Sequence, residues 1–160
     1  MMHYLFFALL FWSQSLFAQQ KDTVYLNKFY DTTDKASAHY VRVIDYKING
    51  FDLTEYFTNG KIHQQGFYSS LNPIKREGYF KYYHENGTLK SEGMYQKNEL
   101  TGLWKNYDDE SNLKSSIYYQ NDKKEGVLKS YFKDQKLRRE EIYKKGEMIK
   151  SQCYSHSGAD

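Results

Sequence analysis

The sequence predicts an all-β fold, an extended, twisted antiparallel sheet of repeated β-hairpins. Three observations carry that prediction. Gly78, Gly102 and Gly126 stand 24 residues apart, and the segments between them align without a gap. A fixed period in this range marks a repeat array. Within each unit Tyr, Phe, Trp, Ile and Val concentrate in two short runs, and these residues favour a pleated, half-buried surface. Asn59-Gly60 and Asn86-Gly87 lie between such runs, the strongest short-range cue for a hairpin. A helix is disfavoured because the apolar residues keep no sustained 3.6-residue spacing.

Taken from the amino terminus, residues 1–18 read as a signal peptide. They contain no Lys, Arg, Asp or Glu, and Tyr4 to Trp12 is an unbroken apolar run of nine residues. As a helix that run rises about 13.5 Å, well short of a hydrocarbon core of about 30 Å. It fits the apolar core of an export signal, roughly 7–15 residues long. The expectation is an amino-terminal signal helix, cleaved after Ala18 to leave Gln19. Residues 19–52 should supply cap strands, at Thr23 to Tyr30 and His39 to Ile48, since a repeat array needs an atypical end. Asp31-Thr32-Thr33-Asp34 offers capping residues for a short helical turn through Ala38.

Residues 53–149 hold the β-hairpin repeats. Phe80, Trp104 and Leu128 share the third column of the unit, and Lys81, Lys105 and Lys129 the fourth. Tyr83, Tyr107 and Tyr131 share the sixth, Leu89, Leu113 and Leu137 the twelfth, and Tyr95, Tyr119 and Tyr143 the eighteenth. A looser unit precedes them, with Leu53, Tyr56, Asn59-Gly60, Gly66 and Tyr68 in matching columns. Three extra residues around Ser69 to Glu77, including Pro73, are expected to lengthen the connection into Gly78. Glu110-Ser111 and Asp134-Gln135 stand where Asn-Gly stood, so those turns are expected to be looser. Gln96 to Thr101 and Lys145-Gly146 mark returns between units. With strands about 4.8 Å apart and two per unit, each column repeats roughly every 10 Å as a ladder across the sheet. Residues 150–160 begin a terminal strand and end in a mobile tail.

Composition bounds the function. The chain has 160 residues, which suggests one domain. Its 17 Tyr and 10 Phe exclude wholesale disorder, which goes with aromatic-poor chains. A net charge of +3 does not by itself indicate nucleic acid. Cys153 is the single cysteine, so neither an internal disulfide framework nor a multi-cysteine zinc site is available; it is expected to be buried. His3, His39, His63, His84 and His156 show neither HxH nor HxxxH spacing, and no metal is expected. Asp108-Asp109-Glu110 and Glu140-Glu141 are adjacent carboxylates. On a strand neighbours point to opposite faces and in a turn they are solvated, so no acid/base pair is indicated. No phosphate loop or nucleophile elbow is present. The reading is non-enzymatic, with no catalytic residue and no cofactor.

Binding candidates come from the repeat columns and from charge. The unit from Gly78 carries three basic and three acidic residues, that from Gly102 four against five, and that from Gly126 seven against four. One end of the array is therefore basic and suits an acidic partner or an anionic surface. The tyrosine columns with lysines beside them suit protein or glycan. The candidate binding residues are Tyr83, Trp104, Tyr107, Tyr131, Lys81, Lys105, Lys129, Lys133, Arg138 and Arg139.

The pattern G-x-(aromatic)-x-x-Y, then N-G-x-Leu and G-x-Y, resembles the MORN-type repeat in its YwqK-like, antitoxin-like variant, over roughly residues 53–149. The wider layout, with Val24-Tyr25-Leu26, Val41-Arg42-Val43, the repeats and then Cys153-Tyr154 and Gly158, is similar to the periplasmic repeat region of certain TonB-like proteins. The resemblance implies protein contact, in some proposals contact with lipid, and no catalytic residues. The functional expectation is an exported repeat scaffold for protein–protein interaction in the cell envelope, periplasmic or extracellular, with an envelope protein as partner. The alternatives are a lipid- or glycan-binding surface module and an antitoxin-like protein that neutralises its partner by binding. Nucleic acid is not expected.

Overall fold

The computed structural model describes residues 21–156. Eleven strands follow one another there: β1 Lys21–Leu26, β2 Tyr40–Lys47, β3 Gly50–Phe57, β4 Ile62–Leu71, β5 Ile74–Tyr83, β6 Leu89–Gln96, β7 Glu99–Tyr107, β8 Leu113–Gln120, β9 Lys123–Tyr131, β10 Leu137–Lys144 and β11 Glu147–Cys153. They form one antiparallel sheet whose spatial order is the chain order. Consecutive pairing is what tight turns between antiparallel strands permit. The expected signal helix and the end of the expected tail lie outside the described residues.

Two kinds of turn alternate along the array. On one side β3–β4, β5–β6, β7–β8 and β9–β10 close with the same hydrogen-bond pattern. The N–H of Phe57, His84, Asp108 and Phe132 donates to the carbonyl four residues on, at 2.8, 2.9, 3.0 and 2.8 Å. Each turn has one residue at positive φ: Gly60 at 81°, Gly87 at 89°, Ser111 at 73° and Gln135 at 66°. The turns at Glu110-Ser111 and Asp134-Gln135 are therefore not looser than the Asn-Gly ones, contrary to expectation. Paired strands on both sides impose the conformation, and side-chain acceptors help hold it. Asn59 and Asn86 accept the N–H of Lys61 and Thr88, each at 2.9 Å, while Asp108 and Asp134 accept those of Asn112 and Lys136 at 2.8 and 3.2 Å. On the other side two-residue turns at Lys97-Asn98, Asn121-Asp122 and Lys145-Gly146 have positive φ at both positions, the geometry that matches strand twist.

Neighbouring turns are also stitched together. Asn59 Nδ2 donates to the Glu85 carbonyl at 3.0 Å and Asn86 Nδ2 to that of Asp109 at 2.7 Å. On the opposite edge the N–H groups of Asn98, Asp122 and Gly146 reach the carbonyls of Arg76, Leu100 and Lys124 at 2.9, 3.1 and 2.9 Å. The second row repeats with the 24-residue period of the sequence, whereas the first-row donors Asn59 and Asn86 stand 27 apart across the longer β4 and β5.

Three further expectations need correction. The residues around Ser69 to Glu77 do not lengthen a connection; they extend β4 and β5, which meet at the two-residue turn Asn72-Pro73. No helical turn follows Asp31. Asp34 instead accepts the N–H of Ser37 at 2.9 Å in an isolated turn, since too few residues follow to repay the cost of helix nucleation. Cys153 is exposed on β11 rather than buried, because among the described residues this strand is the last and is paired on one side only.

The two faces of the sheet differ. One face, here the packed face, carries the core of Ile44, Leu53, Tyr68, Phe80, Tyr95, Trp104 and Ile117. Its aromatic rings meet edge to face, Tyr68–Phe80 at 5.2 Å, Phe80–Tyr95 at 5.0 Å and Tyr95–Trp104 at 5.2 Å between centroids, the arrangement that the ring quadrupoles favour. Gly66 and Gly93 make room for them. A Cβ on Gly66 would lie 2.5 Å from the Phe80 ring, and one on Gly93 only 2.2 Å from the Trp104 ring. In the next unit the same two positions hold Ile117 and Leu128, so a larger strand residue faces a smaller partner.

Candidate functional site

The candidate residues from the sixth and fourth columns share the other, open face. Alternation along β5 places Tyr79, Lys81 and Tyr83 opposite Phe80 and Tyr82, and β7 and β9 repeat this with Lys105, Tyr107, Lys129 and Tyr131. The lysines stand in one cross-strand row, Gln65↔Lys81↔Glu92↔Lys105↔Ser116↔Lys129↔Glu140↔Gln152. Opposite charges directly across a strand pair attract, and here Lys129 Nζ lies 3.5 Å from Glu140 Oε1. The tyrosines stand nearer the turns, paired with the leucine column as Tyr83↔Leu89, Tyr107↔Leu113 and Tyr131↔Leu137.

Glu92 is the hub of this face. Tyr107 donates its hydroxyl to Glu92 Oε1 at 2.8 Å. Partial burial pushes the Glu92 carboxyl up, yet the hydroxyls of Tyr79 and Tyr107 and the ammonium groups of Lys105 and Lys81 hold it below the usual carboxylate value. Desolvation, and then the bond to Glu92, push the Tyr107 and Tyr79 hydroxyls up to about 12. Beside this row runs a band of exposed apolar side chains. Tyr79 faces Met94, Leu103 faces Tyr118 and Val127 faces Ile142; Tyr79 and Leu103 are 50% exposed and Tyr118 53%.

The other candidates lie elsewhere. Trp104 is on the packed face and 6% exposed, its Nε1 donating to the Met94 carbonyl at 3.1 Å; it is a core residue and presents no contact surface. Lys133 is in the β9–β10 turn, 2.6 Å from Glu110 Oε1. Arg139 faces the packed side, 3.1 Å from Glu141 Oε1, and Arg138 sits at an irregularity of β10 with its guanidinium 6.0 Å from the Phe132 ring centre. The basic end is thus interleaved with carboxylates, and its charges do not form one field.

Sequence reasoning missed Glu92, although Glu92 and Glu140 occupy one repeat column. It also missed a buried cluster at the amino-terminal end of the packed face. Glu55 is fully buried on β3. Arg42 donates Nε and Nη2 to its Oε2 at 3.1 and 2.9 Å, Gln64 donates Nε2 to Oε1 at 3.2 Å, and His63 Nδ1 lies 2.8 Å from Oε1. Burial raises the Glu55 carboxyl, and the hydrogen bonds from His63 and Arg42 with the Arg42 charge overcome it, leaving the group below 4.5. Tyr40 stacks on His63 at 4.8 Å and on Tyr30 at 5.0 Å, which folds the β1–β2 connection over this end. Tyr30, Tyr40 and Arg42 lie in the cap, and Glu55, His63 and Gln64 in the loose first repeat, whose later copies carry Tyr82, Lys90 and Ser91 in those columns, so no repeated residue type flags them. Among the described residues no group of three or more His, Cys, Asp or Glu side chains is placed to hold a metal ion.

Residues 52–70, 76–97 and 100–121 match the model of the MORN repeat variant. The hairpin β9–β10 repeats the same turn, the same lysine row and the same tyrosine–leucine pair outside those segments. No curated protein and no solved structure matches the chain.

Proposed function

We propose that the chain is a non-enzymatic repeat scaffold that binds a protein partner across its open face, and that it does so in the cell envelope after export. The observation that carries the reading is the band Tyr79, Met94, Leu103, Tyr118 and Val127, exposed beside a row of alternating Lys and Glu. A protein interface needs an apolar centre with a polar, solvent-exposed rim. An anionic membrane would instead select for uncompensated basic charge, and here Glu92 and Glu140 stand across from the lysines. The partner that fits presents an apolar ridge rimmed by charges of both signs. Tyr107, Lys81, Lys105 and Lys129 then act as rim, and Tyr79, Leu103 and Tyr118 as anchors. The charge-free apolar run Tyr4 to Trp12 supports export.

The test is capture of proteins from envelope extracts of the source by the tagged mature chain and by Leu103→Asp and Tyr118→Asp. Both side chains are about half exposed, so the variants should fold and melt as the parent does. The reading predicts one stoichiometric protein that the parent retains and both variants lose at least tenfold. A partner retained equally by the variants would refute the assignment of this face, and no partner above background would refute the scaffold role.

A further inference from the structure

The packed face carries a cavity that the docking surface does not use. It lies over β2–β5 with a volume of about 460 Å³ and is lined by Tyr30, Arg42, Leu53, Gln64, Tyr68, Leu71, Ile74, Arg76 and Asn98. That volume falls within the range of small-ligand sites, roughly 300–1,000 Å³. Its lining divides into an apolar part, Leu53, Leu71 and Ile74, and a polar part built around two guanidinium groups.

The polar part is held in place. The Arg76 guanidinium carbon lies over the Tyr95 ring, 4.1 Å from its centre, with Nη1 donating to the Tyr95 hydroxyl at 2.7 Å and Nε to Asn98 Oδ1 at 3.0 Å. Both acceptors are neutral, and Arg76 has no carboxylate partner among the described residues. Arg42 differs, since Glu55 takes its Nε and Nη2 and offsets its charge. Tyr68 is 5% exposed, and its hydroxyl makes no hydrogen bond to any described residue although the side chain lines the cavity. That hydroxyl is open to solvent at the cavity, where a ligand atom can replace its hydration. The site therefore offers one uncompensated positive charge, a hydroxyl donor and an apolar wall.

We propose that this cavity binds a monocarboxylate with an apolar body, the carboxylate taken by Arg76 with the Tyr68 hydroxyl and the body laid against Leu53, Leu71 and Ile74. A single negative charge matches the single unpaired cation; a dianion would set excess negative charge near Glu55. Planar donors of a guanidinium suit a carboxylate. The carboxylate belongs either to a free acid or to a peptide terminus.

The test is titration of the full chain, followed by NMR shifts, with octanoate, with inorganic phosphate, and with a short peptide ending in leucine as free acid or as amide. The expected result is saturable binding of octanoate, of the free-acid peptide, or of both, and at least tenfold weaker binding of phosphate and of the amide. Octanoate alone identifies a free acid as the source, and the peptide acid alone a chain terminus. Arg76→Gln should weaken binding at least tenfold and Tyr68→Phe about three- to tenfold, the loss of one hydrogen bond to a charged group. Tyr68→Phe keeps the ring and its packing, so it remains informative if Arg76→Gln does not fold. Leu103→Asp, on the opposite face, should leave carboxylate binding unchanged, which separates this site from the docking surface. Absence of saturable carboxylate binding, equal binding of phosphate, or unchanged affinity in Tyr68→Phe would overturn the proposal.

Discussion

Placing a methyl group on Gly93 tests how the sheet makes its core. The added Cβ would lie 2.2 and 2.3 Å from Cδ2 and Cε2 of Trp104. That ring cannot move freely, because its Nε1 donates to the Met94 carbonyl at 3.1 Å and it packs edge to face with Tyr95 at 5.2 Å between centroids. Overpacking of this kind costs about 1–3 kcal/mol. Trp104→Leu alone should cost about 3 kcal/mol through the cavity it leaves. The double variant, Gly93→Ile with Trp104→Leu, copies the pair Ile117 and Leu128 already present in the next unit. It should be more stable than the sum of Gly93→Ile and Trp104→Leu by about 2 kcal/mol, a coupling expected of residues in contact. Urea denaturation followed by far-ultraviolet circular dichroism measures all the variants, since that signal does not depend on Trp104. Additive losses, or a Gly93→Ala cost under about 0.5 kcal/mol, would refute the idea that glycine and ring form one packing unit.

Other perturbations address the turns and the buried carboxylate. Ser111→Gly and Gln135→Gly should each stabilise the fold by about 1 kcal/mol, because these residues sit at φ 73° and 66° where a side chain is strained; an unchanged melting temperature would count against it. Asn86→Ala should lose about 1–2 kcal/mol, since it removes the bond to the Asp109 carbonyl and the acceptor for Thr88. Faster amide exchange at Thr88 is its local signature. Glu55→Gln should cost about 3 kcal/mol, as it leaves Arg42 largely buried without its carboxylate. The pH dependence follows from the depressed Glu55 carboxyl. Its stabilisation is complete above the unfolded value and is lost as pH falls through the folded value below 4.5. Glu55→Gln should flatten the acid limb of the stability curve, and an identical limb in both proteins would refute the assignment.

The period was legible because hairpin geometry forces it. Each unit spends its residues on two strands and two turns of fixed length, so substitutions such as Phe80, Trp104 and Leu128 stay in register. The turns at Ser111 and Gln135 were harder to read, because there the conformation comes from the paired strands and not from a glycine. The exposure of Cys153 depends on which strand is last in the sheet. The Glu55 cluster joins Arg42 of the cap to Glu55, His63 and Gln64 of the loose first repeat, and pairing alone brings them together.

Which face a residue occupies required more than its number. Because the repeat is an even number of residues long, Lys81, Lys105 and Lys129 keep one face. Within a hairpin the irregularity beside the turn reverses that parity: Phe80 pairs with Gly93 on the packed face, 13 positions on. Tyr83 and Tyr95, both odd-numbered, therefore point to opposite sides, the first beside Lys81 and the second into the aromatic core. The tyrosine columns consequently form two ladders rather than one. Trp104 and Tyr107 lie on a single strand, however, and there simple alternation already separates them. Grouping both as contact residues overlooked a signal that was present: three positions apart on a strand means opposite faces, and the column of Phe80 and Leu128 marked Trp104 as core.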